Sequence, residues 1–468
     1  MKSVALNAGD LSQTGKTKTL QRLARHLLFK KLGQLKNGAL LLHERTQPGQ
    51  AWQSYRFGAP DAVSNGSKTS AQGTFDQSTF DQGTFDQSAF DQSALEKNQP
   101  AAVEVWIDDF SAYNHIVFAG STGAGEAYIL GLWRCNNLLA LIRLILQNQR
   151  QLNNFDSVFS SFSRQFNNLL ERSRLNSLLG SKKNILAHYD LSNELFELFL
   201  DKKMMYSSAI YPKPESSLAE AAEFKLKHIC QRLKLKAGET LLEVGSGWGG
   251  MAIYAAQNYG CHVTTTTISD AQYHYAKQKI AELGLEQQIT LLNKDYRELE
   301  GRFDKIVSIE MVEAVGHQYY NEYFQTLNRL LKDDGLMLIQ SICTGDQRYE
   351  KMKNNSDFIR RYIFPGGCLP SNQCLLSKAA DNSDMHCVGI EDITLHYART
   401  LADWREAFFK RLAEVRALGF DDRFIRLWEF YLCYCEAGFA ERVIHTSQLL
   451  FAKSKCRDYS QPGAQAVY

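Results

Sequence analysis

Between Lys16 and Lys36 the apolar residues Leu20, Leu23, Leu27, Leu28 and Leu32 fall at helical spacing among seven lysines and arginines and no acid. The pattern predicts an amphipathic helix with a basic face, which can lie on anionic lipid headgroups; it equally fits a helix docked on the protein with that face in water. A strand-like run, GALLLHE, follows it. From Val103 to Trp133 β-branched runs precede a glycine-rich stretch, which reads as strands, a turn and then a helix. Ala140 to about Leu179 reads as polar helices. Beyond Leu241 strand and helix patterns alternate: TLLEVG, a helix from about Met251, HVTTTTIS, a helix from Ala271, ITLLNKD, FDKIVSIE, a helix from Tyr319, and GLMLIQSI. Such alternation predicts a parallel sheet covered by helices.

One segment has neither period. Gly73 to Ser93 holds TFDQS, TFDQG, TFDQS and AFDQS, near-copies of a five-residue unit that matches no face of a helix or strand. Its setting of Ser, Gly, Asn and Gln predicts a disordered low-complexity insertion over residues 60–100.

The length of 468 residues exceeds what one core usually supports, so at least two domains are expected. A net charge of +2 gives no global attraction to nucleic acid, and no nucleic-acid partner is expected. Ten cysteines without a C-x-x-C pair fit a reducing cytoplasm better than a disulfide framework or a zinc site. No apolar run reaches the roughly 18 residues that span a bilayer, and no signal-peptide core is present, so a soluble or peripheral protein is expected.

Candidate chemistry begins at LLEVGSGWGG, Leu241 to Gly250, where a buried strand runs into a turn with G-x-G-x-x-G spacing. A dinucleotide is the first candidate. A nicotinamide enzyme, however, usually carries an acid at the end of the second strand for the ribose hydroxyls, and here that position reads TTTTIS. The acids lie instead at Glu243, before the glycines, and at Asp295, after the third strand. That arrangement is associated with class I methyltransferases, whose cofactor is S-adenosylmethionine.

The blocks AHYDLSNELFELFLDKKMMYSSAIYP, LLEVGSGWGG, TISDAQ, DYRELEGRFDKIVSIEMVEAVG, YIFPGGCLPS and YLCYCEAGFAER, in this order, resemble the cyclopropane-fatty-acyl-phospholipid synthase family over about residues 185 to 455. Val103 to Trp133 resembles that family's N-terminal lipid-engaging domain. The resemblance implies a class I methyltransferase fold, a mainly parallel seven-stranded sheet between helices, preceded by a smaller α+β domain. The expected boundaries are 1–59 with 101–146 for the N-terminal domain, 147–184 for a helical linker and 185–460 for the catalytic domain. The implied reaction transfers a methyl group from S-adenosylmethionine to the double bond of an unsaturated phospholipid acyl chain, and a bound bicarbonate then removes a proton so that a cyclopropane ring closes. It also implies a cytoplasmic protein, peripheral at the inner face of an anionic membrane, with a homodimer allowed. A branched product without a ring, a methyltransferase for a soluble small molecule and a non-catalytic lipid-binding relative are the rival readings.

Residue by residue, the resemblance assigns Tyr189, Tyr206, Ser207, Glu243, Gly245, Gly247, Thr267, Gln272, Asp295, Tyr296 and Arg297 to the cofactor. For bicarbonate it assigns Glu313, Tyr397 and the backbone of Ile342, with Ser208 and Gln340 standing where the family has Cys and His. Ser and Gln can hydrogen-bond an anion, but neither carries the charge of a protonated His, so altered proton removal is expected. His188 and His317 read as capping or packing residues.

Overall fold

The computed structural model describes residues 8–45, 50–58, 103–152, 191–355 and 357–457. The 60–100 insertion with its repeat, most of the 147–184 linker, His188 and Tyr189 lie outside the described residues.

Helix α1 (Ala8–Leu32) leads into β1 (Ala39–Glu44) and β2 (Gln53–Gly58); β3 (Val103–Ile107), α2 (Ser111–Ile129), β4 (Trp133–Cys135) and α3 (Leu138–Gln147) follow. The four strands form one sheet in the order β2-β1-β3-β4, with β1 and β3 parallel and the outer pairs antiparallel. Helix α1 turns Ala24, Leu28 and Leu32 into the core and leaves Arg22, His26 and Lys30 in solvent. Arg25 does not belong to that basic face. Its guanidinium grips the buried Glu44 carboxylate at 2.8 and 2.9 Å, and the Tyr113 hydroxyl donates to the same carboxylate. The docked alternative therefore describes α1, and its apolar stripe is spent on protein; Leu23, half exposed, is the exception.

Two other expectations change here. The glycine-rich stretch is not a turn before a helix but lies within α2, which kinks at Gly120. A side chain at Gly125 would sit 2.6 Å from the Phe358 ring, so the helix uses glycine there to let a neighbouring element approach closely. The segment after Ala140 opens not as a polar helix but as α3, LLALIRLILQ, with Leu138, Ala140 and Leu144 buried.

The second half contains β5 (Thr240–Val244), β6 (His262–Thr267), β7 (Ile289–Asn293), β8 (Phe303–Ile309), β9 (Leu331–Thr344), β10 (His386–Asp392) and β11 (Ile444–Ala452) in the order β10-β11-β9-β8-β5-β6-β7. The five strands legible in the sequence, β5 to β9, are parallel, and β11 enters antiparallel between β9 and β10. Helices α4 (Leu218–Arg232), α5 (Gly250–Tyr259), α6 (Asp270–Glu282), α7 (Tyr320–Leu330), α8 (Thr394–Lys410) and α9 (Asp422–Ala440) accompany it. This is the seven-stranded, mainly parallel sheet of a class I methyltransferase. The chain leaves β5 toward β6 and β7, then returns on the other side of β5 as β8 and β9. The boundary between β5 and β8 is thus a topological switch point, where ligands bind beyond the carboxyl ends of the strands.

The two sheets do not have wholly separate cores. Residues of α1, β1, β3 and α2 share one apolar cluster with Leu195, Phe199, Trp404, Phe408, Phe424 and Trp428 of the second half. Buried polar ties join the same regions: Tyr362 and Arg361 reach Glu126 of α2, and the Tyr128 hydroxyl donates to Glu429 at 2.7 Å.

Candidate active site

At the carboxyl end of β5 the chain enters the glycine turn, with φ of +99° at Gly245 and +50° at Gly247. A side chain at Gly247 would meet nothing within 4 Å, so the turn opens onto free space beside the switch point. Residues with side chains rarely adopt this backbone, and its bare amides can approach a ligand closely. Across the turn, at the end of β6, the Thr267 hydroxyl donates to Gln272 at 3.0 Å. Past β7, Asp295 and Arg297 form a two-point ion pair of 2.9 and 2.7 Å, which holds the Asp295 carboxyl below its usual range. These polar groups line the ends of adjacent parallel strands, as a nucleotide-bearing cofactor requires.

Two of the assigned cofactor residues are placed differently from their neighbours. Tyr296 turns its ring against Tyr323 of α7, and its hydroxyl is buried without a partner. Glu243 is enclosed in the sheet, where it accepts from the Thr265 hydroxyl at 2.6 Å and burial pushes its carboxyl up to about 8. Tyr206 and Ser207 directly precede Ser208, whose amide reaches Glu310. The Tyr206 hydroxyl is 2.8 Å from that of Tyr431, and the Ser207 oxygen accepts from Lys225 at 2.6 Å. Lys225 is a fully buried cation that the sequence reading missed. Burial lowers it to about 8 against the pull of Glu310, Asp201 and Glu243.

Of the five residues assigned to bicarbonate, Ser208, Gln340 and Tyr397 converge on a carboxylate of this chain, Glu310, while the Ile342 amide meets Glu313. Glu310 follows β8 at the switch point in a left-handed conformation, φ +50°. Its Oε1 accepts from the Ser208 amide at 2.9 Å and from the Gln340 side chain at 2.8 Å; its Oε2 accepts from the Tyr397 hydroxyl at 2.8 Å. A non-glycine residue held at positive φ costs about 1–3 kcal/mol and persists where surrounding contacts over-determine it, a pattern that concentrates at functional sites. One turn later Glu313 accepts from the Ile342 amide and, at 3.1 Å, from the Ser341 hydroxyl, both through Oε1; its Oε2 is buried without a partner.

These contacts argue against the expected bicarbonate. Its donors from Ser208, Gln340 and Tyr397 are engaged by Glu310, and the Ile342 amide by Glu313. A further anion would lie between two carboxyl groups. The residues present do not fit that ion.

The two carboxyls divide their protonation. Burial raises Glu310 above the ordinary carboxyl range on balance, although Gln340, the Ser208 amide, Lys225 and Tyr397 all favour its ionised form. Burial together with the negative charge of Glu310 pushes Glu313 up to about 8. Glu310 meets only donors, on both of its oxygens, which is the setting of an ionised carboxylate, whereas Glu313, pushed up to about 8, keeps its proton at neutral pH. An aromatic wall stands beside them: Tyr397 stacks on Phe439 at 4.4 Å, and Trp404 packs against both Tyr397 and Tyr206. The glycine turn, whose Gly245 abuts Met311, thus lies beside a buried carboxylate, Glu310.

The sequence reading missed Glu310 although a signal was present. In IEMVE two acids stand three residues apart, and the first lies at the carboxyl end of a strand adjoining β5, where ligands are met. The fully buried Gln448 of β11, which donates to Gln340 at 2.9 Å, carried no such signal.

Comparison with known proteins agrees with this fold. The family model described as "Mycolic acid cyclopropane synthetase" matches residues 177–449. The chain is similar to the tuberculostearic acid methyltransferase UfaA1 of Mycobacterium tuberculosis, 34% identical over 68% of this chain and 76% of that protein. It is also similar to the cyclopropane-fatty-acyl-phospholipid synthase of Escherichia coli K12, 36% identical over 76% of this chain and 88% of that protein. Among solved structures, the mycolic acid cyclopropane synthase CmaA1 complexed with SAH and CTAB superposes with a TM-score of 0.53 at 31% identity, covering 58% of this chain and 98% of that one.

Proposed function

This chain belongs to the cyclopropane-fatty-acyl-phospholipid synthase family of S-adenosylmethionine-dependent methyltransferases, and on that premise we propose that it methylates the double bond of an unsaturated phospholipid acyl chain with its own Glu310 as the base. The observation that carries the reading is the Glu310 carboxylate, held by Ser208, Gln340 and Tyr397. Gly245, Gly247, Thr267, Gln272, Asp295 and Arg297 would hold the cofactor, with Tyr206 and Ser207 closing over it and Glu243 and Tyr296 supporting the turn and the adenine side. When bound, the cofactor supplies an electrophilic methyl carbon on a sulfonium.

An acyl double bond that took up this methyl group would be left with a cation on its neighbouring carbon, which the residues of this chain must shield and resolve. Glu310 Oε2 then accepts a proton from the transferred carbon, and the electrons of the broken C–H bond close onto the cationic carbon to form the ring. The wall of Tyr206, Tyr397 and Trp404 keeps water from trapping the cation. Glu313, being neutral, leaves the site with a single facing carboxylate, and Lys225 balances its charge.

A branched product is the second reading, and a specific observation favours it. Glu310 is fixed to the backbone and cannot follow a cation that moves. If a hydride shift brings the cation onto the methylated carbon before the proton leaves, the same base yields a methylene branch, C=CH2, and no ring.

The enzyme works on membrane lipid as a peripheral protein; among the described residues no helix is long and apolar enough to cross a bilayer. Mass spectrometry of lipids from cells expressing the protein tests the reading. Unsaturated phospholipids should gain one carbon, and fragmentation separates ring from branch. Unchanged acyl chains in the presence of folded, cofactor-binding protein would reject it.

A further inference from the structure

Behind Glu310 runs a buried row of hydrogen bonds that the reaction itself does not use. Arg232, at the end of α4, donates from Nη1 to Gln448 Oε1 at 3.1 Å and to the Gln448 carbonyl at 3.4 Å. Gln448 Nε2 donates to Gln340 Oε1 at 2.9 Å, directly across the β9–β11 pair. Gln340 Nε2 donates to Glu310 Oε1 at 2.8 Å and, at 3.4 Å, to the Ser208 carbonyl. Both glutamines are wholly buried, so water cannot take the place of either partner.

An amide has a donating and an accepting end, and which end faces which neighbour is set by the network. A guanidinium has donors only. Arg232 therefore requires the oxygen of Gln448, which turns the Gln448 nitrogen to Gln340. Gln340 must answer with its oxygen, so its nitrogen is left for Glu310. The row has one direction, from a permanent cation to the carboxylate. Reversing it, as a protonated Oε1 on Glu310 would demand, places an amide nitrogen against the guanidinium.

We propose that Arg232 and Gln448 are positioning residues that fix the direction of the Gln340 amide and thereby keep Glu310 an acceptor throughout the catalytic cycle. The proposal rests on the reading of Glu310 as the base. It gives the replacement of His by Gln at position 340 a purpose: a neutral side chain oriented from behind donates to the carboxylate without competing for the proton that the base must accept.

Other charged groups face both ends of the row. Glu310 is faced by Lys225 from α4, Glu313 from the short helix Val312–Val315, Tyr397 from α8, and Tyr206. Arg232 is faced by Glu391 at 3.0 Å, by Cys387, and through Glu391 by His228. Arg232→Lys keeps a donor-only cation against Glu391, whereas Arg232→Gln offers either amide end to Gln448. The pair thus separates direction from simple packing.

The test measures kcat, the KM for S-adenosylmethionine and the acid limb of the kcat–pH profile on vesicles of unsaturated phospholipid, using the full chain. Gln448→Leu and Arg232→Gln should lower kcat about tenfold, the scale of one hydrogen bond to a charged group, without raising the cofactor KM, and should move the acid limb to higher pH. Arg232→Lys should recover most of the loss seen in Arg232→Gln. If Gln448→Leu does not fold, as judged by thermal melting and cofactor binding, the two Arg232 variants decide the matter. Parental kcat and acid limb in Arg232→Gln, or equal losses in both Arg232 variants, would overturn the proposal provided that Glu310→Gln is inactive. An active Glu310→Gln would instead overturn the base assignment beneath it.

Discussion

The two halves of the active site are built on opposite principles. On the cofactor side, at the ends of β5 to β7, the groups proposed to hold the ligand are open backbone at Gly247, the Thr267–Gln272 pair, of which Thr267 is buried and Gln272 partly exposed, and the partly exposed Asp295–Arg297 ion pair. On the base side, at the ends of β8 and β9, Ser208 and Gln340 are fully buried and Glu310 has protein donors on both carboxylate oxygens. The first half resembles a surface waiting for a ligand, the second a finished core. A cofactor that enters and leaves at every turnover needs a side that water can refill. A base that must not be hydrated needs the reverse.

The largest effect should come from separating the halves at Glu310. Glu310→Gln preserves shape but removes the proton acceptor, and general-base removal typically costs 10²–10⁴-fold in rate. Turnover should fall by about that factor while calorimetric affinity for S-adenosylmethionine stays within about threefold of the parent, less than one hydrogen bond's worth. Loss of both together would show that the two sides are one network and break the comparison.

The contrast also explains what the sequence could reveal. The cofactor side is local in the chain: strand, glycine turn and helix adjoin one another, and the missing acid after β6 could be read directly from TTTTIS. The base side joins Ser208, Glu310, Gln340 and Tyr397, which meet only through the order of strands in the sheet and the packing of α8. Resemblance placed those positions around a free ion, because the acid at position 310 shows in the chain only as the first of the two acids in IEMVE and is given no role by the resemblance. Only the folded chain puts its carboxylate there. Gly125 of α2 failed to read as helix for a related reason, since the demand for glycine there comes from Phe358, over two hundred residues away.

A smaller effect, and of the opposite kind, is expected at the cofactor side. Thr267→Val removes the hydroxyl that donates to Gln272 and leaves the β-branched shape suited to the end of β6. The KM for S-adenosylmethionine should rise roughly tenfold, as for one lost polar contact, with kcat at saturation unchanged. A fall in kcat without a change in KM would place Thr267 in the chemistry and blur the division.

The smallest effect concerns Glu313, which belongs to the base side in burial but keeps one oxygen free. Its carboxyl is pushed up to about 8 in the folded protein from an ordinary value of 4.5, chiefly by burial and then by Glu310. The folded state thus holds a proton that the unfolded chain releases as pH rises past that ordinary value. Glu313 favours folding fully at pH below its unfolded value, and that contribution is lost progressively as pH climbs through about 8. Glu243, also raised to about 8, has the same sign, so the parent should melt at a lower temperature at pH 7.5 than at pH 5.5 as far as these two groups decide it. Lys225, lowered to about 8, changes its contribution above that window and not within it. Glu313→Gln removes one of the two contributions and keeps the acceptor for the Ile342 amide. The difference in Tm between the two pH values should narrow by several degrees, at roughly 2–4 °C per kcal/mol in a domain of this size. An unchanged difference in scanning calorimetry would mean that Glu313 is ionised in the resting enzyme, and the base side would then face the acyl chain with two negative charges instead of one.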